Sequence, residues 1–197
     1  IEQVSGEEFA SYMRHHIFEP AGMQHCFYWD THRPHPCPLR EKAEDRVCLP
    51  LVAHGYAYKD STWQEYDFGE ETFFATRPDG ALYCSVEEFV QWEKALRNEL
   101  LVSNQTIAQA WSPKTLVTGS PYDDYNVREN TYYGFGWFIE PATDTTHTVI
   151  YHTGENGGFH NIAARYPDSN TLVVILSARP DWDQYTFLQR VEEVLHL

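Results

Sequence analysis

Basic residues are scarce in this chain of 197 residues, and so are long apolar runs. Lys and Arg number 14 against 29 Asp and Glu, which gives a formal net charge of −15. Because phosphate binding needs a basic face, this balance argues against nucleic acid as a partner. No apolar run approaches the ~18–20 residues that a transmembrane helix needs, so we expect no membrane span.

Cysteines are few, and the sequence shows no signal peptide. The four cysteines, Cys26, Cys37, Cys48 and Cys84, are too few for a disulfide scaffold at this length. An even number permits two bridges in an oxidising compartment, but spacing alone leaves the pairing open. Because the first residue is Ile1 rather than methionine, we expect a processed or truncated polypeptide.

Apolar periodicity predicts three helices in the first half of the chain. The first covers Ile1–Met23, with Ser5 and Glu8 as a capping box and a stop at Pro20 and Gly22. Its apolar face would consist of Phe9, Met13 and Ile17. A second capping box, Ser85 with Glu88, opens a helix whose apolar stripe would be Phe89, Trp92 and Leu96. We interpret Glu87, Glu88 and Glu93 as a solvated face of that helix, and Ser103–Trp111 as a shorter third helix.

Two short aromatic runs, Ala53–Tyr58 and Trp63–Phe68, predict a β-hairpin. Core packing on one face is the expectation for its alternating aromatics, and a pocket rim is the alternative. These aromatics are Tyr56, Tyr58, Trp63, Tyr66 and Phe68.

The last third of the chain predicts four strands and a terminal helix. The strands are Tyr133–Ile139, Thr148–Thr153, Phe159–Tyr166 and Thr171–Ser177. Their connections are too short for helical crossovers, so the strands should pair antiparallel. Asp181 or Asp183 opens the helix, with Phe187, Val191 and Leu195 on one face. The expected class is α/β (α+β), an antiparallel sheet flanked by helices, with residues 1–197 in a single domain.

An irregular stretch from Gln24 to Pro50 is rich in histidine and cysteine. Zinc favours such ligands, and the candidates are His25, Cys26, His32, His35, Cys37 and Cys48. No Cys-x-x-Cys or His-x-x-x-His pair sets the tight spacing of a structural site. We therefore favour a surface loop that shapes a substrate cleft, and we expect no metal and no cofactor.

Four segments, in this order along the chain, resemble β-lactamase/penicillin-binding-protein-like serine hydrolases of the class C β-lactamase and esterase type. They are IEQVSGEEFASYMRHHIFEPAGM at Ile1–Met23, DGALYCSVEEFVQWEKAL at Asp79–Leu96, YGFGW at Tyr133–Trp137, and HTGENGGF at His152–Phe159, followed by Tyr166-Pro167 and the run Leu172–Ser177. The resemblance rests on their order rather than on any one match. It implies a partial β-lactamase/transpeptidase-like fold, and it favours a periplasmic or secreted location.

In this family three motifs meet at the active site: Ser-x-x-Lys with the nucleophile, Tyr-x-Asn (or Ser-x-Asn), and a Lys-Thr-Gly-like strand. Only the third is present here, as His152-Thr153-Gly154. We expect the other two just upstream of Ile1, so that this chain is the C-terminal portion of a β-lactamase-like domain. The parent chain would hydrolyse ester, amide or peptide-like substrates through an acyl-enzyme, and the segment alone would be inactive. The alternative is a non-catalytic binding or scaffold module.

The resemblance assigns roles to four residues. His152 would replace the usual lysine and hold a substrate carboxylate or assist proton transfer. Thr153 would offer its hydroxyl to the substrate, Gly154 would allow close approach, and the backbone amide of Glu155 would donate to the oxyanion. Glu155 departs from the family, which usually has a small residue there. Simpler interpretations are a strand histidine at 152 and a hairpin in which Gly154, Gly157 and Gly158 supply positive φ values.

The expected partner is a small-molecule or peptide-like substrate of the parent chain. If the N-terminal part of the domain is absent, one edge of the sheet is exposed. Such an edge favours self-association.

Overall fold

The computed structural model describes residues 1–28, 53–66, 77–117 and 128–197. These residues form two compact units. The first combines Ile1–Ser103 with Asn156–Phe159, and the second combines Asn104–Glu155 with His160–Leu197. Across the described ranges, no helix has the length and apolarity needed to cross a membrane. A single domain over residues 1–197 stays a prediction.

The opening segment of the first unit has one break, near Gly6, and residues 9–21 are continuously helical, so the predicted helix over Ile1–Met23 is wrong only in being uninterrupted. Helix α1 (Glu2–Ser5) ends at Gly6, whose φ of 74° turns the chain out of the helix. Then follow α2 (Phe9–Met13), a π-helical turn over Arg14–Phe18, and α3 (Glu19–Ala21), which ends at Gly22 as expected.

The cap of α2 is Glu8, and the predicted capping box of Ser5 and Glu8 does not form. The Glu8 carboxylate accepts a hydrogen bond from the Ser11 amide at 3.1 Å. The Ser5 hydroxyl instead donates to the carbonyl of Ile1 at 3.1 Å. Since Gly6 ends α1 directly after Ser5, the serine lies at a helix end rather than at a helix start.

Two small sheets belong to the first unit. Strand β1 (Phe27–Tyr28) belongs to one of them, and β2 (Tyr56–Lys59) forms the expected hairpin with β3 (Thr62–Glu65). Its two-residue turn has positive φ at both Asp60 and Ser61, as a type I′ turn requires. Tyr58 is 61% exposed, so core packing is the wrong interpretation for this ring. It contacts Trp63 across the hairpin, with ring centroids 5.4 Å apart. Phe68 lies outside the described residues.

A short helix α4 (Arg77–Gly80) leads to β4 (Leu82–Tyr83), which pairs antiparallel with β1, and then to α5 (Val86–Arg97). Ser85 caps α5 as predicted, its hydroxyl accepting from the Glu88 amide at 3.2 Å. The prediction of a solvated face is wrong for two of its three glutamates, because Glu88 and Glu93 are buried. Glu93 pairs with Arg97 at 2.7 Å. Helix α5 contributes Ala95 to a core whose other members are Phe18, Ala21, Met23 and Cys26.

The second unit contains helix α6 (Asn104–Ala110) and a six-stranded sheet. The strands are β5 (Thr115–Leu116), β6 (Tyr132–Tyr133), β7 (Phe138–Glu140), β8 (Val149–Asn156), β9 (Phe159–Tyr166) and β10 (Thr171–Ser177). They lie in the order β10-β9-β8-β7-β6-β5. The pairings β5–β6, β6–β7, β7–β8 and β9–β10 are antiparallel. The predicted fold class is confirmed, and β9 and β10 match the predicted strands at both ends.

The segment from Tyr133 to Ile139 is a hairpin turn with its flanking strands, so the single strand predicted there is wrong. Tyr133 pairs with Phe138 across it. The turn needs glycine at two places. At Gly134 a side-chain carbon would lie 2.2 Å from the carbonyl oxygen of Ala110, and Gly136 has a φ of 78°.

The last helix, α7 (Gln184–Leu195), buries a face one residue away from the predicted one. Asp183 caps it, accepting from the Thr186 amide at 2.6 Å. Leu188 is fully buried, whereas Phe187 and Leu195 are about half exposed. Leu188 packs into the main core of this unit, together with Val117, Phe138, Val149, Tyr151, Ile162, Ala164 and Tyr166.

Candidate active site

The predicted site segment begins where strand β8 leaves the core. Val149, Ile150 and Tyr151 are buried, and His152 is the first exposed residue of the strand. The pairing between β7 and β8 also ends here, with Phe138 opposite Tyr151. Beyond Tyr151, β8 therefore continues past the end of its neighbour. A rigid, buried base thus holds the His-Thr-Gly segment.

A cleft of about 990 Å³ lies in the second unit beside this part of β8. His152, Thr153 and Glu155 all line it. Much of the remaining wall is aromatic, from Tyr133, Phe135, Phe138, Trp182 and Tyr185. A concave, largely apolar site with a few polar groups is the usual form of a small-molecule site. The structure thus brings three of the four predicted residues together in one cleft, with Gly154 between them in the chain.

The side chain of His152 is oriented by two hydrogen bonds. Its Nδ1 contacts the carbonyl oxygen of Thr153, and its Nε2 lies 3.1 Å from the hydroxyl of Tyr133. A carbonyl oxygen only accepts, so Nδ1 carries the proton, and in the neutral ring Nε2 accepts from Tyr133. The imidazole also packs on Phe138, with ring centroids 5.1 Å apart. Tyr133 was given no role from the sequence, although it opens the YGFGW motif.

Thr153 is half-buried and hydrogen-bonded to Tyr185, the second residue of α7. Burial raises the pKa of Tyr185, and the hydrogen bond from Thr153 opposes that shift. The phenol therefore stays protonated at neutral pH. Sequence reasoning missed this contact because Tyr185 lies more than thirty residues further along the chain and carries no motif.

Gly154 lies in the extended strand β8, so the positive φ predicted for it is wrong. Of the three glycines assigned positive φ, only Gly157 has it, at 55°. A side-chain carbon at Gly154 would meet no atom within 4 Å. Gly158 is required for a different reason, since a side-chain carbon there would lie 2.1 Å from the amide nitrogen of Tyr56. The space beside Gly154 is open to a ligand.

The carboxylate of Glu155 is directed at a second histidine. Glu155 Oε1 lies 3.8 Å from Nδ1 of His160, whose side chain is 18% exposed and also lines the cleft. The sequence contained a signal for this pair. A two-residue turn at Gly157-Gly158 places residue 160 across the hairpin from residue 155.

The described part of the chain contains no group of three or more His, Cys, Asp or Glu side chains that could hold a metal ion. Two of the six residues considered for zinc, His25 and Cys26, fall in that part. The other four, His32, His35, Cys37 and Cys48, lie outside it. The interpretation of their segment as a cleft-shaping loop stays a prediction.

The β-lactamase family model matches residues 1–196. The chain belongs to the β-lactamase family. It is 24% identical over 204 residues to penicillin-binding protein 4* of Bacillus subtilis (strain 168), an alignment that covers 99% of this chain and 41% of that protein. The predicted resemblance is therefore confirmed.

Two solved structures have a fold similar to that of this chain. The octameric penicillin-binding protein homologue from Pyrococcus abyssi matches with a TM-score of 0.75 and 22% identity, covering 99% of this chain and 39% of that one. The D-amino acid amidase from Ochrobactrum anthropi matches with a TM-score of 0.63 and 17% identity, covering 99% and 56%. The chain thus spans about two fifths of the Bacillus and Pyrococcus relatives.

Proposed function

We propose that this chain supplies the third-motif strand of a serine hydrolase that forms and then hydrolyses an acyl-enzyme on an ester, amide or peptide-like substrate. The observation that carries the proposal is the position of His152-Thr153-Gly154. The segment borders an aromatic cleft on a strand whose inner half is buried. Membership of the β-lactamase family supports the reaction class.

The residues of the cleft suit distinct tasks in such a reaction. His152, oriented by Tyr133, presents an imidazole that can accept or donate a proton. Thr153 offers a hydroxyl, and the open space at Gly154 lets a substrate lie against the strand. The backbone amide of Glu155 would donate to the oxyanion of the acyl-enzyme. Its carboxylate is directed at His160, with Oε1 3.8 Å from Nδ1 of the histidine.

We place the nucleophile outside the 197 residues. A serine hydroxyl reacts only when a neighbouring base takes its proton, and the family uses Ser-x-x-Lys for this. No serine of the chain has a lysine three residues later, and no Tyr-x-Asn or Ser-x-Asn triplet occurs. The Bacillus relative is more than twice as long as the matched region. The chain alone would therefore bind but not acylate.

Labelling with a serine-directed fluorophosphonate tests this proposal. The 197-residue chain should show no stoichiometric, site-specific labelling. Stoichiometric labelling of one serine would mean that the nucleophile lies within the chain. The coding frame upstream of Ile1 should supply Ser-x-x-Lys and Tyr-x-Asn, and the longer product should label.

A matched pair of histidine variants tests the role of the strand in that longer product. His152→Gln should lower kcat/KM by at least about tenfold, in the range typical of lost proton-transfer catalysis. His147→Gln is the control, because His147 is about half exposed, lies near Asp168 and does not line the cleft. Equal activity of the two variants would show that His152 has no role in the reaction.

A second candidate is a non-catalytic binding or scaffold module, favoured by the absence of Ser-x-x-Lys from the chain itself. Strand β10 is one of the two outer strands of the described sheet, and Leu176 on it is 42% exposed. An open edge of this kind would drive self-association. Light scattering after size-exclusion chromatography separates the two accounts. A stable monomer supports a self-sufficient module, whereas association that Leu176→Lys abolishes supports an edge that is normally covered.

A further inference from the structure

Cys26 and Cys84 adjoin the two-stranded sheet of the first unit, Cys26 directly before β1 and Cys84 directly after β4. Strands β1 and β4 pair antiparallel with Phe27 opposite Tyr83, so one further step places Cys26 opposite Cys84. Residues directly opposite in an antiparallel pair have Cα atoms about 4.5 or 5.5 Å apart. Cysteines joined by a disulfide have Cα atoms about 4.4–6.8 Å apart. The strand register therefore sets a distance that a disulfide can bridge.

The two side chains are free thiols, and Cys84 packs against the core cluster that contains Cys26. They differ in access to solvent. Cys26 is only 3% exposed, whereas Cys84 is half-buried. A small oxidant therefore reaches Cys84 first.

A buried carboxylate lies beside the pair, and the two thiols differ in pKa. Glu88 Oε2 accepts from the Cys26 thiol at 3.3 Å, and Oε1 accepts from the backbone amide of His25. The hydrogen bond with Cys84 and then burial raise the pKa of Cys26, so it stays protonated. The same hydrogen bond lowers the pKa of Cys84. The more accessible cysteine is thus also the better source of thiolate.

We propose that Cys26 and Cys84 form a redox modification site, which closes to an intramolecular disulfide when a low-molecular-weight disulfide oxidises it. The Cys84 thiolate attacks one sulfur of the oxidant, forming a mixed disulfide and releasing one thiolate. The Cys26 thiol then gives its proton to the neighbouring carboxylate of Glu88, and the resulting thiolate attacks Cys84 Sγ and releases the second thiolate of the oxidant. The two cysteine protons end on the two released thiols, and the oxidant gains the two electrons that the cysteines lose. The site is independent of the proposed hydrolase, since neither cysteine lines the cleft.

The bond ties strand β1 to the start of helix α5. Cys84 directly precedes Ser85, the N-cap of that helix, and Cys26 belongs to the core that α5 helps to form. A cross-link between residues 26 and 84 restricts the unfolded chain, and it stabilises the folded unit to the extent that it adds no strain. Oxidation should therefore raise the midpoint of thermal unfolding.

Peptide mapping of the complete chain tests the site. The chain is incubated with oxidised glutathione, alkylated and cleaved at aspartate. Asp30, Asp45 and Asp79 place the four cysteines on separate peptides. We expect the Cys26 peptide to be joined to the Cys84 peptide, with the midpoint about 5 °C or more above that of the reduced chain. The Cys37→Ser/Cys48→Ser variant should behave in the same way.

Cys26→Ser is the matched control, and it should leave Cys84 carrying one glutathione without any rise in the midpoint. Two results would overturn the proposal. One is a chain in which Cys26 and Cys84 stay reduced, or in which each carries glutathione with no bond between them. The other is a bond from Cys26 to Cys37 or Cys48 in place of Cys84.

Discussion

Replacing Arg128 by methionine should destabilise the second unit by removing the centre of a charged network. Arg128 Nε lies 2.8 Å from Glu140, and its Nη1 lies 2.7 Å from Glu192. Tyr166 donates to Glu192 at 2.8 Å. The two glutamate side chains are only 16% and 13% exposed, so without the guanidinium they become poorly solvated charges.

The size of the effect follows from that burial. Breaking a buried ion pair by removing one partner costs about 3–5 kcal/mol, because the other charge is left uncompensated. Arg128 is itself 24% exposed, so water can reach the gap and recover part of the loss. We therefore expect the free energy of unfolding to fall by about 2–4 kcal/mol. Urea unfolding at pH 7, followed by circular dichroism, measures it.

The pH dependence identifies the cause. Burial raises the pKa of Glu140, and the charge of Arg128 opposes that shift. A raised pKa in the folded state adds stability below the ordinary pKa of the unfolded chain, and this is lost as pH rises through the folded value. Arg128→Met removes the opposing charge and raises this pKa further. The deficit should therefore shrink as pH falls from 7 towards the ordinary value of 4.5.

Two variants make the reasoning refutable. Arg190→Met is the same chemical change at an exposed position of α7 and should alter stability by about 0.5 kcal/mol or less. Adding Glu140→Gln to Arg128→Met should recover part of the loss, since it removes one of the unpaired charges. If Arg128→Met costs no more than Arg190→Met, or if the double variant is simply additive, the network does not stabilise the fold in this way.

Two further predictions concern packing, and both can be checked by urea unfolding. Leu188→Ala should cost about 2–5 kcal/mol because the leucine is fully buried, whereas Phe187→Ala, at a half-exposed neighbour, should cost clearly less. Gly158→Ala should destabilise the first unit because its new carbon would lie 2.1 Å from the Tyr56 amide nitrogen, while Gly154→Ala meets no atom within 4 Å and should leave stability almost unchanged.

The sequence predicted correctly the elements that depend only on residues close together in the chain. Strands β9 and β10 were predicted at both ends, because an apolar run on each side of the turn Pro167-Asp168-Ser169-Asn170 leaves little choice of register. The Ser85 cap of α5 was predicted for the same reason, since a cap depends only on residues a few positions away.

The prediction of side-chain burial failed where a residue distant in the sequence determines it. Glu88 has the sequence context of a solvated glutamate, yet the amide of His25 and the thiol of Cys26 satisfy its carboxylate. These partners lie about sixty residues earlier in the chain, and no spacing rule connects them. The prediction of the buried face of α7 failed for the same reason. Phe187 and Leu188 are both apolar, and only the packing of the sheet selects Leu188.

The candidate site also contains both kinds of residue, those of a contiguous motif and those that tertiary packing brings in. Its strand residues were predicted because they form a contiguous motif, His152-Thr153-Gly154. The residues that orient them were missed, because strand order and helix packing bring them in from elsewhere. Tyr133 reaches His152 from β6, two strands away, and Tyr185 reaches Thr153 from α7.

Strand β8 has a structural part, which ends at Tyr151, and a part beside the cleft, which begins at His152. Through Tyr151 its side chains are buried and paired with β7, so substitutions there should act on folding. From His152 onward β8 no longer pairs with β7 and borders the cleft. A side chain can change there at little cost to the core. Gly154→Ala decides between the two accounts of this segment. If the segment is only the stem of a hairpin, the variant is neutral in every assay. If it is the third motif, the variant folds normally, and the longer product loses activity because the methyl group occupies the open space beside the strand.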